Sequence, residues 1–107
     1  MSVVDRVIAA LCAHDVDAFV ACYAADAVIE EGNDGRVLAC GHEAMRARYG
    51  QLFADNPKAH WHVVHRIEAG EFVIQHERMI GVAAMPAQHV CVYRVRDDVI
   101  HEERVLR

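Results

Sequence analysis

The sequence lacks most of the features that announce a particular function. It contains no internal repeat, no low-complexity segment and no domain linker, and its two prolines and six glycines are dispersed along 107 residues. A single domain over residues 1–107 is therefore expected, long enough for one core and too short for a second. No basic run is present. Acidic and basic residues are interleaved at a formal charge of -5, so neither nucleic acid nor anionic membrane is an expected partner. The four cysteines, Cys12, Cys22, Cys40 and Cys91, lie far apart without CxxC pairing, and read as small buried hydrophobes rather than metal or redox ligands. A long hydrophobic run is missing too. The opening MSVVDRVIAALCAH is interrupted by Asp5 and Arg6, has no leader layout and is too short to span a bilayer, so it reads as an amphipathic helix of a cytoplasmic protein.

What is present is the composition of an ordinary globular chain, 54% apolar. Val3, Val4, Val7, Ile8 and Leu11 recur at helical spacing, which predicts a helix over Val3–Ala13. Asp15 is placed to cap a second helix that carries Phe19, Val20, Cys22 and Tyr23 and ends near Ala24. Two short strands follow, Asp26–Glu31 and Arg36–Ala39, separated by the turn formers Gly32-Asn33-Asp34-Gly35. A third helix is expected from Glu43 to Phe53, ended by Asp55-Asn56-Pro57.

Ala59 to Ile80 then alternates with period two and predicts a long hairpin turning at Ala69-Gly70. With Glu68 and Glu71 flanking that turn, Trp61 pairs with Arg78 and Val63 with His76. Trp61, Val63, His65, Ile67, Phe72, Ile74, His76, Arg78 and Ile80 then share the more apolar face, which should point to the core. The opposite face, with His60, His62 and Glu77, should look away. After a loop over residues 81–87, Gln88–Arg96 and Val99–Leu106 form a second hairpin across Asp97-Asp98. Pairing there groups His89, Cys91, Tyr93 and Val95 with Ile100, Glu102, Arg104 and Leu106. The order of elements gives an α+β class.

Four segments carry a more specific signal: AALCAHDVDAFVACYAADAVIEE, GHEAMRARYGQLF, GEFVIQHERMIG and VYRVRDDVIHEERVLR. Together they resemble a SnoaL-like member of the NTF2-like superfamily, which includes ketosteroid isomerases, limonene-epoxide hydrolases and polyketide cyclases. The resemblance implies an NTF2-like cone, three N-terminal helices packed on a curved, mainly antiparallel sheet around a central pocket. It also implies a homodimer through the outer sheet face, where Val64, Val73, Met79, Val90 and Val92 suit such a contact. Glu31 falls where the isomerases place their proton-moving carboxylate, and Tyr49 where they place a pocket tyrosine. Their two oxyanion donors fall at Val7 and near Cys91, so that isomerase mechanism is not expected. Arg78 matches the hydrolase arginine, but Ile80 stands in place of an acid, and the second acid falls near Arg104 or Val105.

The expected function is a small-molecule pocket protein, a cofactor-independent isomerase, cyclase or hydrolase acting on a small carbonyl or cyclic compound. Glu31 is the candidate base, raised by desolvation at the pocket rim, with a solvated strand end as its other reading. His76 and Arg78 are the candidate proton shuttle and anchor; alternatively Arg78 and Arg104 are neutralised internally by Glu102 or Glu31. Tyr49, Phe53, Trp61, His89, Cys91, Tyr93, Glu102 and Arg104 are expected to line the pocket. No metal is expected, since His60 and His62 face away from His76. A non-catalytic ligand-binding or dimerising module is the competing expectation.

Overall fold

Ser2 and Asp5 start the first helix by capping each other. Ser2 Oγ accepts from the Asp5 N–H at 3.3 Å, and the Asp5 carboxylate accepts from the Ser2 N–H at 3.2 Å. In the computed structural model, which describes residues 1–83 and 85–107, this helix, α1, spans Val3–Ala13 and buries Val3, Val4, Val7, Ala10 and Leu11. His14 ends it in the left-handed region at φ 55. Its Nε2 donates to the Ala59 carbonyl at 2.8 Å, and its ring stacks on Phe53 at 4.8 Å. Asp15 accepts from the Ala18 N–H at 3.0 Å and starts α2, Val16–Val20.

The second helix is shorter than its residues suggest. Cys22 O accepts from the Ile100 N–H at 3.0 Å, which draws the chain into the sheet, so that Tyr23 opens a strand opposite Ile100. That strand, β1, spans Tyr23–Glu31; β2 is Arg36–Cys40 and α3 Gly41–Asp55. Four strands then meander: β3 His60–Ala69, β4 Phe72–Ile80, β5 Gln88–Arg96 and β6 Val99–Leu106. The expected loop over residues 81–87 includes position 84, which lies outside the described residues. The sheet order is β2-β1-β6-β5-β4-β3, antiparallel except where β1 runs parallel to β6. The class is α+β, three helices against one six-stranded sheet.

Two register irregularities decide which side chains face the helices. The β3–β4 turn is Gly70-Glu71 rather than Ala69-Gly70, with Ala69 opposite Phe72 and Gly70 at φ 59. Glycine takes that conformation without steric cost. Pairing then shifts between Val63 and His65, so that Ile67 lies opposite Ile74 while Trp61 lies opposite Met79. A one-residue bulge exchanges the faces of a strand. Trp61 is thus buried with Val73, Gln75, Glu77 and Met79, whereas Phe72, His76, Arg78 and Ile80 occupy the outer face. A second shift, between Arg94 and Val95, sets Tyr93 opposite Glu103 and Cys91 opposite Val105. The expected inward placement of His76, Arg78, Glu102 and Arg104 is corrected by these two bulges.

Candidate functional site

The three helices and the inner sheet face enclose a cavity of about 740 Å³. Val7 and Leu11 of α1 and Phe19 of α2 supply apolar wall, and all three tyrosines and the one tryptophan, Tyr23, Tyr49, Tyr93 and Trp61, line it. Burial pushes the three phenols well above their ordinary value, so they stay neutral hydrogen-bonding groups. Against these walls lie buried polar groups that an apolar core would not tolerate unpaired. Glu77 is 1% exposed, Glu103 5% and His89 7%, and all three line the cavity; Gln75, fully buried, sits behind them.

Glu77 is the centre of this cluster. The β4–β5 register puts it opposite His89, and period two puts Cys91 beside His89 on the same face. Its Oε1 accepts from His89 Nε2 at 3.2 Å and from Cys91 Sγ at 3.6 Å. Its Oε2 accepts from the Tyr93 hydroxyl at 2.7 Å and from Gln75 Nε2 at 2.8 Å. Gln75 is oriented in turn by Arg66, whose Nε donates to Gln75 Oε1 at 2.7 Å while its terminal nitrogen donates to Asp5 at 2.6 Å. Burial pushes the Glu77 carboxyl up, but the donors from His89, Tyr93 and Gln75 together outweigh it and hold the group below its ordinary value.

Glu103 is held differently. The Tyr23 hydroxyl donates to its Oε1. Burial is the largest influence on this carboxyl and, aided by the charge of Glu77, pushes it up to about 7 against the opposing Tyr23 hydrogen bond. Two carboxyls facing one cavity therefore have separated protonation states, the arrangement from which acid and base roles are made.

His89 completes the site. A carboxylate only accepts, so the Nε2 that meets Glu77 carries the hydrogen. Nδ1 is then uncommitted, and among the described residues it is the one buried side-chain nitrogen or oxygen without a hydrogen-bond partner. Glu77, His89 and Cys91 also form a group with metal-ligand atom types within 4.8 Å of one another. Glu77 Oε1 already accepts from both neighbours, and burial holds the Cys91 thiol well above its ordinary value. The group is thus organised as a hydrogen-bonded acid, imidazole and thiol.

The model of the SnoaL-like domain matches residues 4–103 of this chain. The chain belongs to the SnoaL-like domain family. Solved structures share the fold over nearly its whole length. An uncharacterised cystatin-fold protein from Novosphingobium aromaticivorans is 26% identical, with 100% of this chain and 99% of that chain covered at a TM-score of 0.87. A protein of ketosteroid isomerase-like fold from Catenulispora acidiphila, in complex with trimethylamine, is 18% identical, with 96% and 82% covered at 0.81. A candidate polyketide cyclase from Sinorhizobium meliloti is 17% identical, with 96% and 92% covered at 0.83. Comparison with curated proteins gives no significant match.

In this SnoaL-like chain, five of the expected residues, Tyr49, Trp61, His89, Cys91 and Tyr93, meet at the cavity. Phe53 is buried behind Trp61, with ring centroids 6.1 Å apart. Glu31 lies off the cavity wall at the end of β1, bonded to Arg36 at 2.6 Å and Arg107 at 2.8 Å. The expectation of a raised base there is corrected: the Arg107 hydrogen bond, opposed by burial and joined by the charge of Arg36, holds its carboxyl below the ordinary value. His76 bonds Gln88 at 2.5 Å and stacks on His65 at 5.9 Å on the outer face, where Arg78 is exposed. Glu102 pairs with Arg94 at 2.8 Å, and Arg104 with Glu30 at 3.5 Å rather than with Glu31 or Glu102.

The residues that pairing arithmetic missed are Glu77, Glu103 and Gln75. A signal for two of them existed. Gln75 and Glu77 alternate with the apolar Val73 and Met79 on the strand that Trp61 anchors.

Proposed function

We propose that the cavity binds a small organic molecule and that His89, held by Glu77, moves a proton on it. The protein would then act without a cofactor, as an isomerase, cyclase or hydrolase on a small carbonyl or cyclic compound. The observation that carries this reading is the buried Glu77–His89 pair, whose free Nδ1 has no partner among the described residues. A carboxylate that fixes an imidazole through one nitrogen leaves the other able to take a proton from a bound molecule. Glu103, near neutrality, is the complementary acid, and the phenols stand ready as donors to a developing oxyanion. Glu31, which resemblance made the base, has no part in the step. The trimethylamine bound to the Catenulispora protein supports a small-molecule occupant for this fold.

The competing reading is a binding module without turnover. It is favoured by the completeness of the Glu77 network, since four donors satisfy that carboxylate with no substrate present. Proton exchange separates the two. Small enolisable ketones in deuterated buffer, followed by proton NMR, should lose their α-protons faster with the wild-type protein. Replacement of His89 by Gln should reduce that acceleration by about 10²–10⁴-fold. Acceleration that survives unchanged in H89Q would remove His89 from the chemistry; no acceleration with any ketone, alongside measurable binding, would leave the binding module.

Two further features accompany the proposal. The outer sheet face, with Ile67, Phe72 and Ile80 exposed, suits a homodimer contact. Four free cysteines suit a cytoplasmic setting.

A further inference from the structure

The charges around the cavity are not evenly placed in depth. Glu77 and Glu103 sit at the floor, both nearly inaccessible to water. Of the cations that reach the lining, Arg48 is exposed, and Arg107, whose side chain is 19% exposed, is neutralised by Glu31 at 2.8 Å. Solvent screens the charge of Arg48 and the Glu31 carboxylate offsets that of Arg107, so the potential felt by an occupant is set by the acids at the floor. A carboxylate or phosphate entering this space would meet a fixed anion with, among the described residues, no buried arginine or lysine left unpaired to answer it.

The other surfaces favour the opposite sign. Tyr23, Tyr49, Tyr93 and Trp61 present aromatic wall, which attracts cations through the ring quadrupole. His89 Nδ1 lacks a donor, and an ammonium N–H is one. Each of these could be matched by a neutral hydroxyl compound in part; only a cation uses the carboxylate, the rings and the imidazole together.

We propose that the occupant of this cavity is a small organic cation, a protonated amine, and that organic anions are excluded from it. The inference rests on the reading of the cavity as a ligand site and deepens it by naming the class. A substrate would be an amine-bearing carbonyl or ring compound, its ammonium group set near Glu77 and His89.

Three probes of one shape and different charge test the proposal: benzylamine, benzyl alcohol and benzoate, titrated calorimetrically into the wild-type protein and into E77Q and E103Q at pH 7.5. Benzylamine should bind about tenfold or more tightly than benzyl alcohol, with benzoate weakest. In E77Q that preference should collapse while the alcohol keeps its affinity within about threefold. E103Q, which keeps an acceptor for Tyr23, supplies the same comparison should E77Q fail to fold, and should narrow the preference in the same direction. Benzoate binding as tightly as benzylamine, or an amine preference untouched by either folded variant, would overturn the cationic class and leave the ligand site standing. Binding of none of the three would sink the ligand-site reading itself, and this inference with it.

Discussion

Replacing Glu103 by Gln isolates the one carboxyl, among the described residues, that the fold raises above its ordinary value. Its ordinary value is 4.5, and burial raises it to about 7 in the folded protein. A carboxyl raised on folding is stabilising below its unfolded value, where both states are protonated. That contribution is lost as pH rises through the folded value, because the unfolded chain releases the proton first. Between pH 4.5 and 7 the difference, at roughly 1.4 kcal/mol per pH unit, comes to about 3 kcal/mol. Gln is close in shape, carries no charge and can accept the Tyr23 hydroxyl through its own Oε1. Urea unfolding of both proteins at intervals from pH 4.5 to 8.5 therefore gives two curves whose separation reports this one group. Every other ionisable group is common to both proteins and cancels in the difference. E103Q should gain on the wild type steadily as pH rises, by about 3 kcal/mol across the range. Parallel curves would mean that Glu103 is not a buried acid at neutrality, and the acid role given to it would go with that result.

Four other changes probe separate parts of the structure. Gln75→Leu removes a buried donor from Glu77, and should cost about 1–3 kcal/mol at pH 7; since Glu77 is held below 4.5, its contribution is present above that pH and lost as pH falls through the folded value, so the deficit should shrink in acid. A deficit that does not change with pH would point to packing alone. Gly81→Ala would place a Cβ 2.6 Å from the Lys58 carbonyl oxygen at a φ of +83, and thermal unfolding should register a loss of roughly 2–4 kcal/mol. Glu31→Gln breaks one pair with the exposed Arg36 and one largely buried pair with Arg107 and should cost about 1–3 kcal/mol, with proton exchange intact; an exchange-dead but folded E31Q would restore Glu31 as the base. Phe72→Glu on the outer face should convert a sedimenting dimer into a monomer, and a wild type that already sediments as a monomer would refute the sheet-face contact.

The helices were legible because their signals are local: Val3, Val4, Val7 and Leu11 of the expected stripe are buried in α1, with Ala10 rather than Ile8 completing it, and Asp15 caps α2. The strands were legible as strands, but their faces were not, and the cause lies in two single residues. Period-two arithmetic carries a face along a strand only while no residue is inserted. One irregularity between Val63 and His65 and another between Arg94 and Val95 invert β4 relative to Trp61 and β6 relative to Tyr93. The same arithmetic that grouped His89, Cys91 and Tyr93 correctly therefore added Glu102 and Arg104 in place of Glu103, and His76 and Arg78 in place of Glu77. Hydrophobicity could not repair the error. It assigns the more apolar face of β4, Phe72, Ile74 and Ile80, to the interior, whereas the interior face carries Gln75 and Glu77.

Such a reversal is stable only because each buried polar atom is answered: Glu77 by four donors, Gln75 by Arg66, Glu103 by Tyr23. Among the described residues the exception is His89 Nδ1. A sheet that sets an acid, an imidazole and phenols against an enclosed space, and leaves one nitrogen unanswered, gives up core hydrophobicity that a purely structural role would have kept. That cost is why the proposed ligand is to be sought at the inner face, at Glu77, His89 and Glu103, and not at the outer-face His76 and Arg78.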